Sequence, residues 1–169
     1  MSIMLKTPHR PVLHLLALVL VVLQPIGSCG YRGNPDRPSV MDFGAVGDGV
    51  TDDTAAFQKG LNALQAQGGG PLYVPARTFA IKGELEVPAA TVLQGSNRYP
   101  FRSWGTAKTT VGTTLLAFSQ AGNASGTPFI FLNGANAGVE GMSIFYPEQD
   151  MNAAVPTVYP PTIMGSGDN

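Results

Sequence analysis

From position 12 to position 23 every residue except His14 is apolar, and no comparable run occurs again in the 169-residue chain. The pattern then changes twice. Residues 29–39 are rich in Gly, Pro, Arg and Asn and have no apolar period, which predicts a tether. Further on, Phe57, Leu61 and Leu64 recur at i, i+4 and i+7 with Ala56 and Gly60 beside them, which predicts one amphipathic helix. Thr51 or Asp52 is its expected N-cap, and the acidic pair Asp52 and Asp53 suits the positive end of the helix dipole. Gly68-Gly69-Gly70 ends it. After the helix, apolar residues come only in short runs bounded by Gly, Pro and Asn. They predict strands over 71–75, 78–81, 84–87, 91–93, 113–118, 129–132 and 139–146. Between 94 and 112 the chain is polar and reads as a loop projecting from one corner, and 162–169 reads as a turn.

The strand starts give no clean sequence repeat. Short strands separated by turns such as Asn133-Gly134-Ala135-Asn136 and Asn123-Ala124-Ser125-Gly126 are nevertheless what a coiled solenoid needs. In such a fold each coil buries its inward face only by stacking on the next. Composition supports this. Charged residues make up 12 %, about half the usual share, while Gly and Pro are abundant; a long helical bundle and a disordered chain are both disfavoured. A net charge of -1 gives no basic footprint, so no nucleic-acid partner is expected. The only histidines, His9 and His14, precede or lie in the apolar run. If that stretch is removed, Ser–His and Cys–His nucleophile pairs and His-ligated zinc are excluded from what remains.

Lys6 and Arg10 before the apolar run, and small residues after it, make residues 1–28 a secretory signal peptide by pattern. The run is shorter than the ~20 residues of a spanning helix. Ile26-Gly27-Ser28-Cys29 resembles the lipobox of bacterial lipoproteins, in which cleavage exposes a cysteine for acylation. That resemblance implies lipid attachment at Cys29 and a cell-envelope location, outer membrane included, with membrane contact only through the leader or the lipid. The alternative is an ordinary cut near Ser28 that secretes the chain. In a eukaryote the lipobox reading fails, and Asn123-Ala124-Ser125 becomes a glycosylation acceptor.

The run Asp42-Phe43-Gly44-Ala45-Val46-Gly47-Asp48-Gly49-Val50-Thr51-Asp52-Asp53-Thr54, followed by Ala55-Ala56-Phe57-Gln58, resembles the N-terminal signature of the pectate lyase superfamily, rhamnogalacturonase-like proteins included. Gly68-Gly69-Gly70-Pro71-Leu72-Tyr73-Val74-Pro75-Ala76-Arg77-Thr78-Phe79 continues the match. One departure is Arg77, where the family usually has Gly; Arg77 must take a different turn or a strained positive φ. The later Gly138-Val139-Glu140-Gly141-Met142-Ser143-Ile144-Phe145 looks like a further rung. The resemblance implies an all-β fold: a right-handed parallel β-helix over residues 40–169 with an N-terminal capping α-helix, truncated at the C-terminal side. It also implies a polysaccharide partner, an acidic or plant-type glycan. The family's catalytic carboxylates, or its Ca²⁺ ligands and basic residue, lie on central rungs that would fall beyond Asn169. The chain is therefore expected to be an N-terminal fragment of a glycoside hydrolase or polysaccharide lyase, inactive alone. The rival from another class is a non-enzymatic β-helix adhesin or glycan-binding module.

No catalytic, cofactor or metal residue is assigned by motif, and Ca²⁺ enters only if the full-length protein is a lyase. Asp48, Asp52 and Asp53 are the densest carboxylates. A Ca²⁺ site is one reading of them. The other is structural: Asp48 and Gly49 in a turn, with Thr51, Asp52 and Asp53 at the helix start. Glu84 and Glu86 flank Leu85 on the outer face of a strand, either as a glycosidase pair or as a solvated strand face. Glu140, Glu148 and Asp150 could edge a saccharide groove, with Tyr99, Trp104 and Tyr146 as stacking platforms or simple core covers. Lys82 and Lys108 are the remaining candidates, as a lyase base or as ordinary exposed lysines.

Overall fold

The computed structural model describes residues 37–97, 112–150 and 152–166. Cys29, Tyr99, Trp104 and Lys108 lie outside the described residues, as do the leader and most of the expected tether and loop.

The described residues form four stacked coils. After a short 3-10 helix (Val40–Phe43), the first coil holds β1 (Asp48–Asp52), α1 (Thr54–Ala66) and β2 (Gly70–Tyr73). The second holds β3 (Thr78–Ile81), β4 (Leu85–Pro88) and β5 (Thr91–Gln94). β6 (Thr114–Ala117), β7 (Ile130–Asn133) and β8 (Gly138–Glu140) make the third, and β9 (Ser143–Phe145) and β10 (Ile163–Gly165) belong to the fourth. Strands pair only with their equivalents one coil away, always in parallel. Three sheets result: β1-β3-β6-β9, β4-β7-β10 and β2-β5-β8. This is a parallel β-helix.

Alternation along each strand decides what points inward. Leu72, Leu93 and Val139 fall in one register column; Phe79, Leu115 and Ile144 fall in a second. Leu85 and Ile130 form a third. The first two coils are sealed, with Leu72, Phe79, Leu85 and Leu93 essentially inaccessible, whereas Val139 and Ile144 are half-buried.

In the first coil α1 stands where a strand of the β4-β7-β10 sheet would otherwise run, and it packs on β4, β2 and the 3-10 helix. Phe57, Gly60, Leu61 and Leu64 form its buried face, the stripe that the sequence period predicts. Phe57 meets Phe79 edge-on, with ring centroids 5.2 Å apart. Gly60 is dictated by close approach: a Cβ there would lie 2.8 Å from a Leu72 methyl and 2.9 Å from the Phe43 ring.

Three expectations are corrected. The N-cap position of α1 is Asp53, not Thr51 or Asp52, because Thr51 and Asp52 are still in β1, paired alongside β3. Residues 139–146 form two strands rather than one, since Gly141 takes φ 66° and turns the corner between them. Within 162–169, expected as a turn, Ile163–Gly165 is a strand that pairs with β7. Arg77, by contrast, resolves its open alternative: it is not among the positive-φ residues, so it follows a different turn.

The buried contact of the helix with the coil below it sets an expectation. Phe57→Ala should lower the unfolding free energy by about 3–5 kcal/mol, as for other large aromatic deletions in cores. Ala55→Ser, on the exposed face of α1, should change it by less than about 0.5 kcal/mol. Urea denaturation of the two variants checks both.

Candidate functional site

The carboxylates singled out at the chain's start are occupied locally. Asp48 accepts hydrogen bonds from the Val50 amide (2.8 Å), the Thr51 amide (2.7 Å) and the Thr51 hydroxyl (2.8 Å). Asp52 accepts from the Thr54 amide (3.0 Å), the Thr54 hydroxyl and the Lys82 amide. Asp53 makes no side-chain cap to its helix. It is 1 % exposed, and its two oxygens accept from the amides of Val46 (2.7 Å) and Gly47 (3.1 Å), fixing the preceding turn. The three carboxyls thus serve separate backbone groups and do not converge. Among the described residues no three His, Cys, Asp or Glu side chains gather as a metal-ligand set, and the Ca²⁺ reading of this triplet does not fit.

Among the described residues, a groove lies against each of the three sheets. The largest of these three lies between α1 and the outer face of the β4-β7-β10 sheet. It has a volume of ≈ 640 Å³. Its geometry starts from an unpaired strand edge. β4 has no strand neighbour on the helix side, so its backbone groups there need other partners. Gln58 of α1 supplies them. Its Nε2 donates to the Glu86 carbonyl (3.0 Å) and its Oε1 accepts from the Glu86 amide (3.0 Å), so one carboxamide imitates a neighbouring strand. Thr54 does the same for the bend before β4: its hydroxyl accepts from the amides of Lys82 (3.0 Å) and Gly83 (3.1 Å).

With α1 clamped there, Gln58, Asn62 and Gln65 form one wall of the groove, and Thr127 and Pro128 line it as well. Phe131 is in register with Glu86 on the adjacent strand. Because Leu85 and Val87 point into the core, Glu86 and Phe131 face out together. Glu84 and Glu86, both exposed, line the same groove. Each is held through one oxygen: Gln120 donates to Glu84 Oε1 (2.8 Å), and Asn133 donates to Glu86 Oε1.

On the β2-β5-β8 sheet, Tyr73, Gln94 and Glu140 form an outward column. The Arg37 guanidinium lies 3.8 Å over the Tyr73 ring, and Gln94 donates to Glu140; the groove beside them measures ≈ 380 Å³. A third groove of ≈ 490 Å³ brings Lys82 and Glu148 together with Val50 and Phe118.

The structure therefore unites Glu84 with Glu86, and Lys82 with Glu148, but puts Glu140 on a different sheet. Asp150 is exposed and lines none of the three grooves. Tyr146 is no open platform: it packs against Tyr159 (4.4 Å) and Phe129 (6.3 Å), and its hydroxyl donates to Thr162 (2.9 Å). Sequence reasoning missed Phe131, hidden inside the continuous apolar run 129–132. It missed the helix amides as well. The register with Glu86 is the signal that exposes Phe131.

The family model described as rhamnogalacturonase A/epimerase, pectate lyase-like, matches residues 38–150. The match takes in every element from the 3-10 helix to β9. The chain belongs to that family. Among its relatives, mannuronan C5-epimerase AlgE5 of Azotobacter vinelandii is 46 % identical over 61 residues, 36 % of this chain and 6 % of that protein. Alginate lyase 7 of the same organism is 41 % identical over 61 residues, 36 % and 7 % of the two chains. The pre-neck appendage protein of Bacillus phage phi29 is 43 % identical over 60 residues, 36 % and 6 %. The chain thus spans only a small part of the length of each relative. An epimerase, a class the sequence reading did not name, stands beside a lyase and a phage appendage, so the matched segment does not itself specify a reaction. For this rhamnogalacturonase/epimerase-type chain, the groove beside α1 is the strongest candidate site.

Two carboxyls of the first coil make stability depend on pH. The Thr51 and Val50 donors hold the Asp48 carboxyl below its usual range, and the Thr54 hydroxyl does the same for Asp52 against some desolvation. A depressed folded pKa contributes stability that is present above the unfolded value and lost as pH falls through the folded one. The urea midpoint should be flat near neutrality and decline below about pH 4, where unfolded Asp protonates. Asp52→Asn should start lower at neutral pH and decline less. Denaturation series from pH 7 to pH 2.5 measure both slopes.

Proposed function

We propose that the chain forms the helix-capped N-terminal coils of a polysaccharide-active β-helix protein, and that it contacts the glycan through the groove walled by α1. Family membership together with the pairing of Phe131 with Glu84, Glu86 and helix carboxamides carries this reading. An aromatic face and a few placed polar groups in a concavity of this size are the usual make-up of a ligand site. In this reading the partner is an acidic or plant-type glycan, and the full-length protein is a glycoside hydrolase or polysaccharide lyase. The epimerase relative adds epimerisation of a polyuronate to that range. Ca²⁺ belongs to the scheme only in the lyase case. The 169-residue chain by itself binds without turnover.

The pre-neck appendage relative supports a second reading, a non-enzymatic β-helix adhesin or glycan-binding module. Assays on pectin, rhamnogalacturonan, β-glucan and mannuronan separate the outcomes. Retention on one of these polymers with no new reducing ends, unsaturated uronates or change in uronate configuration is the expected result. Turnover by the isolated chain would contradict it, and so would lack of retention on all four.

Residues 1–28 are proposed to direct the chain out of the cytoplasm, with Cys29 as the acylated residue and a tether that is shorter than the expected 29–39, because Arg37, Pro38 and Ser39 already pack on Tyr73. Metabolic labelling with palmitate in a bacterial host should mark the wild type and not Cys29→Ser. Equal labelling of both, or none of either, would remove the lipid anchor and leave secretion after a cut near Ser28.

A further inference from the structure

The chemistry of the same groove narrows what it takes. We infer that it is a subsite for uncharged saccharide units and rejects uronate residues, an inference that rests on the glycan-contact reading above. Among the described residues, its only ionisable lining groups are the two carboxylates Glu84 and Glu86. The cations among the described residues are Arg37, Lys59, Arg77 and Lys82, and none of them lines it. Lys82 sits instead in the groove with Glu148, and Arg37 is committed to the Tyr73 ring. A uronate carboxylate placed between Glu84 and Glu86 would meet two like charges with no counter-ion among the described residues, which disfavours it by about tenfold or more at low salt.

Uncharged sugar hydroxyls meet the opposite situation. A carboxylate accepts through both oxygens. Glu84 and Glu86 are each fixed through Oε1 by Gln120 and Asn133, which leaves Oε2 of each to accept from hydroxyl groups. Gln58 is consumed at both ends of its amide by the Glu86 backbone, so it shapes the wall rather than binding. Asn62 accepts from Gln58 through Oδ1 (2.9 Å), which keeps its Nδ2 donors for the groove, and Gln65 adds a whole carboxamide. Phe131 offers an apolar face with a negative quadrupole that suits the weakly positive C–H face of a pyranose ring. Acceptors, donors and a flat apolar surface together match a neutral, hydroxyl-rich ring.

The test titrates the ¹⁵N-labelled chain with cellohexaose and mannohexaose in one arm and with hexagalacturonate and hexamannuronate in the other. Each arm uses the wild type, Phe131→Ala and the double variant Glu84→Gln/Glu86→Gln. The expected result is binding of a neutral hexaose that weakens about tenfold in Phe131→Ala, with hexauronates binding only to the double variant. Gln65→Ala, on the exposed face of α1, gives an independent weakening should Phe131→Ala fail to fold. Hexauronate binding to the wild type that is lost in Phe131→Ala would overturn the inference while leaving the glycan-contact reading intact. Neutral binding indifferent to both Phe131→Ala and Gln65→Ala would also overturn the inference. Binding of neither sugar class to any variant would overturn the reading and the inference together.

Discussion

A stack of parallel coils must end somewhere, and its first end exposes both an apolar core and a row of unpaired backbone groups. Covering that end is the constraint on which the rest of this structure depends. The chain meets it with a single helix. Phe57, Leu61 and Leu64 seal the core, while Gln58 and Thr54 occupy the backbone groups of β4 and of the bend before it. The two tasks use adjacent strips of the same short helix, which is why its position over β4 is narrowly set. An uncovered edge would be a template for association with other chains.

The same helix makes the surface feature of greatest functional interest. Because α1 stands in place of a strand, it rises beside the sheet and turns the flat outer face of β4 and β7 into a groove. The parallel register then brings outward residues of successive coils side by side, Glu86 next to Phe131. Corner chemistry keeps that register. The Asn97 side chain accepts from the Thr113 amide (2.7 Å) and donates to the Thr113 carbonyl and the Ser143 hydroxyl (3.2 Å each), joining three successive coils. At the neighbouring corner a Cβ on Gly95 would overlap the Gly141 carbonyl. Coils that cannot slip keep the wall and floor of the groove in one relation.

The fold was legible in the sequence where local pattern and long-range packing agree. Phe57, Leu61 and Leu64 announce a helix by spacing alone, and Thr78–Ile81 has the same bounds in sequence and structure because turn formers flank it closely. Legibility failed where a side chain's role depends on a distant segment. Asp53 reads as a helix cap, yet its carboxylate turns back to Val46 and Gly47. Gln58 stands in the sequence only as one residue of the family motif, yet it completes a strand 28 positions later. Glu84 and Glu86 were visible as an outward pair. Phe131 was not, since four consecutive apolar residues carry no period and only pairing with β4 shows which of them faces out. The reaction of the full-length protein was legible in neither, because relatives with different names share the matched segment.

The most direct measurement is hydrogen–deuterium exchange at the Glu86 amide in the wild type and in Gln58→Ala. A helix that substitutes for a strand predicts strong protection at Glu86 in the wild type, lost in the variant, while Leu93 and Leu115 in the strand interiors remain protected. Rapid exchange at Glu86 in the wild type, or protection unchanged by the substitution, would mean that α1 does not close the end of the stack.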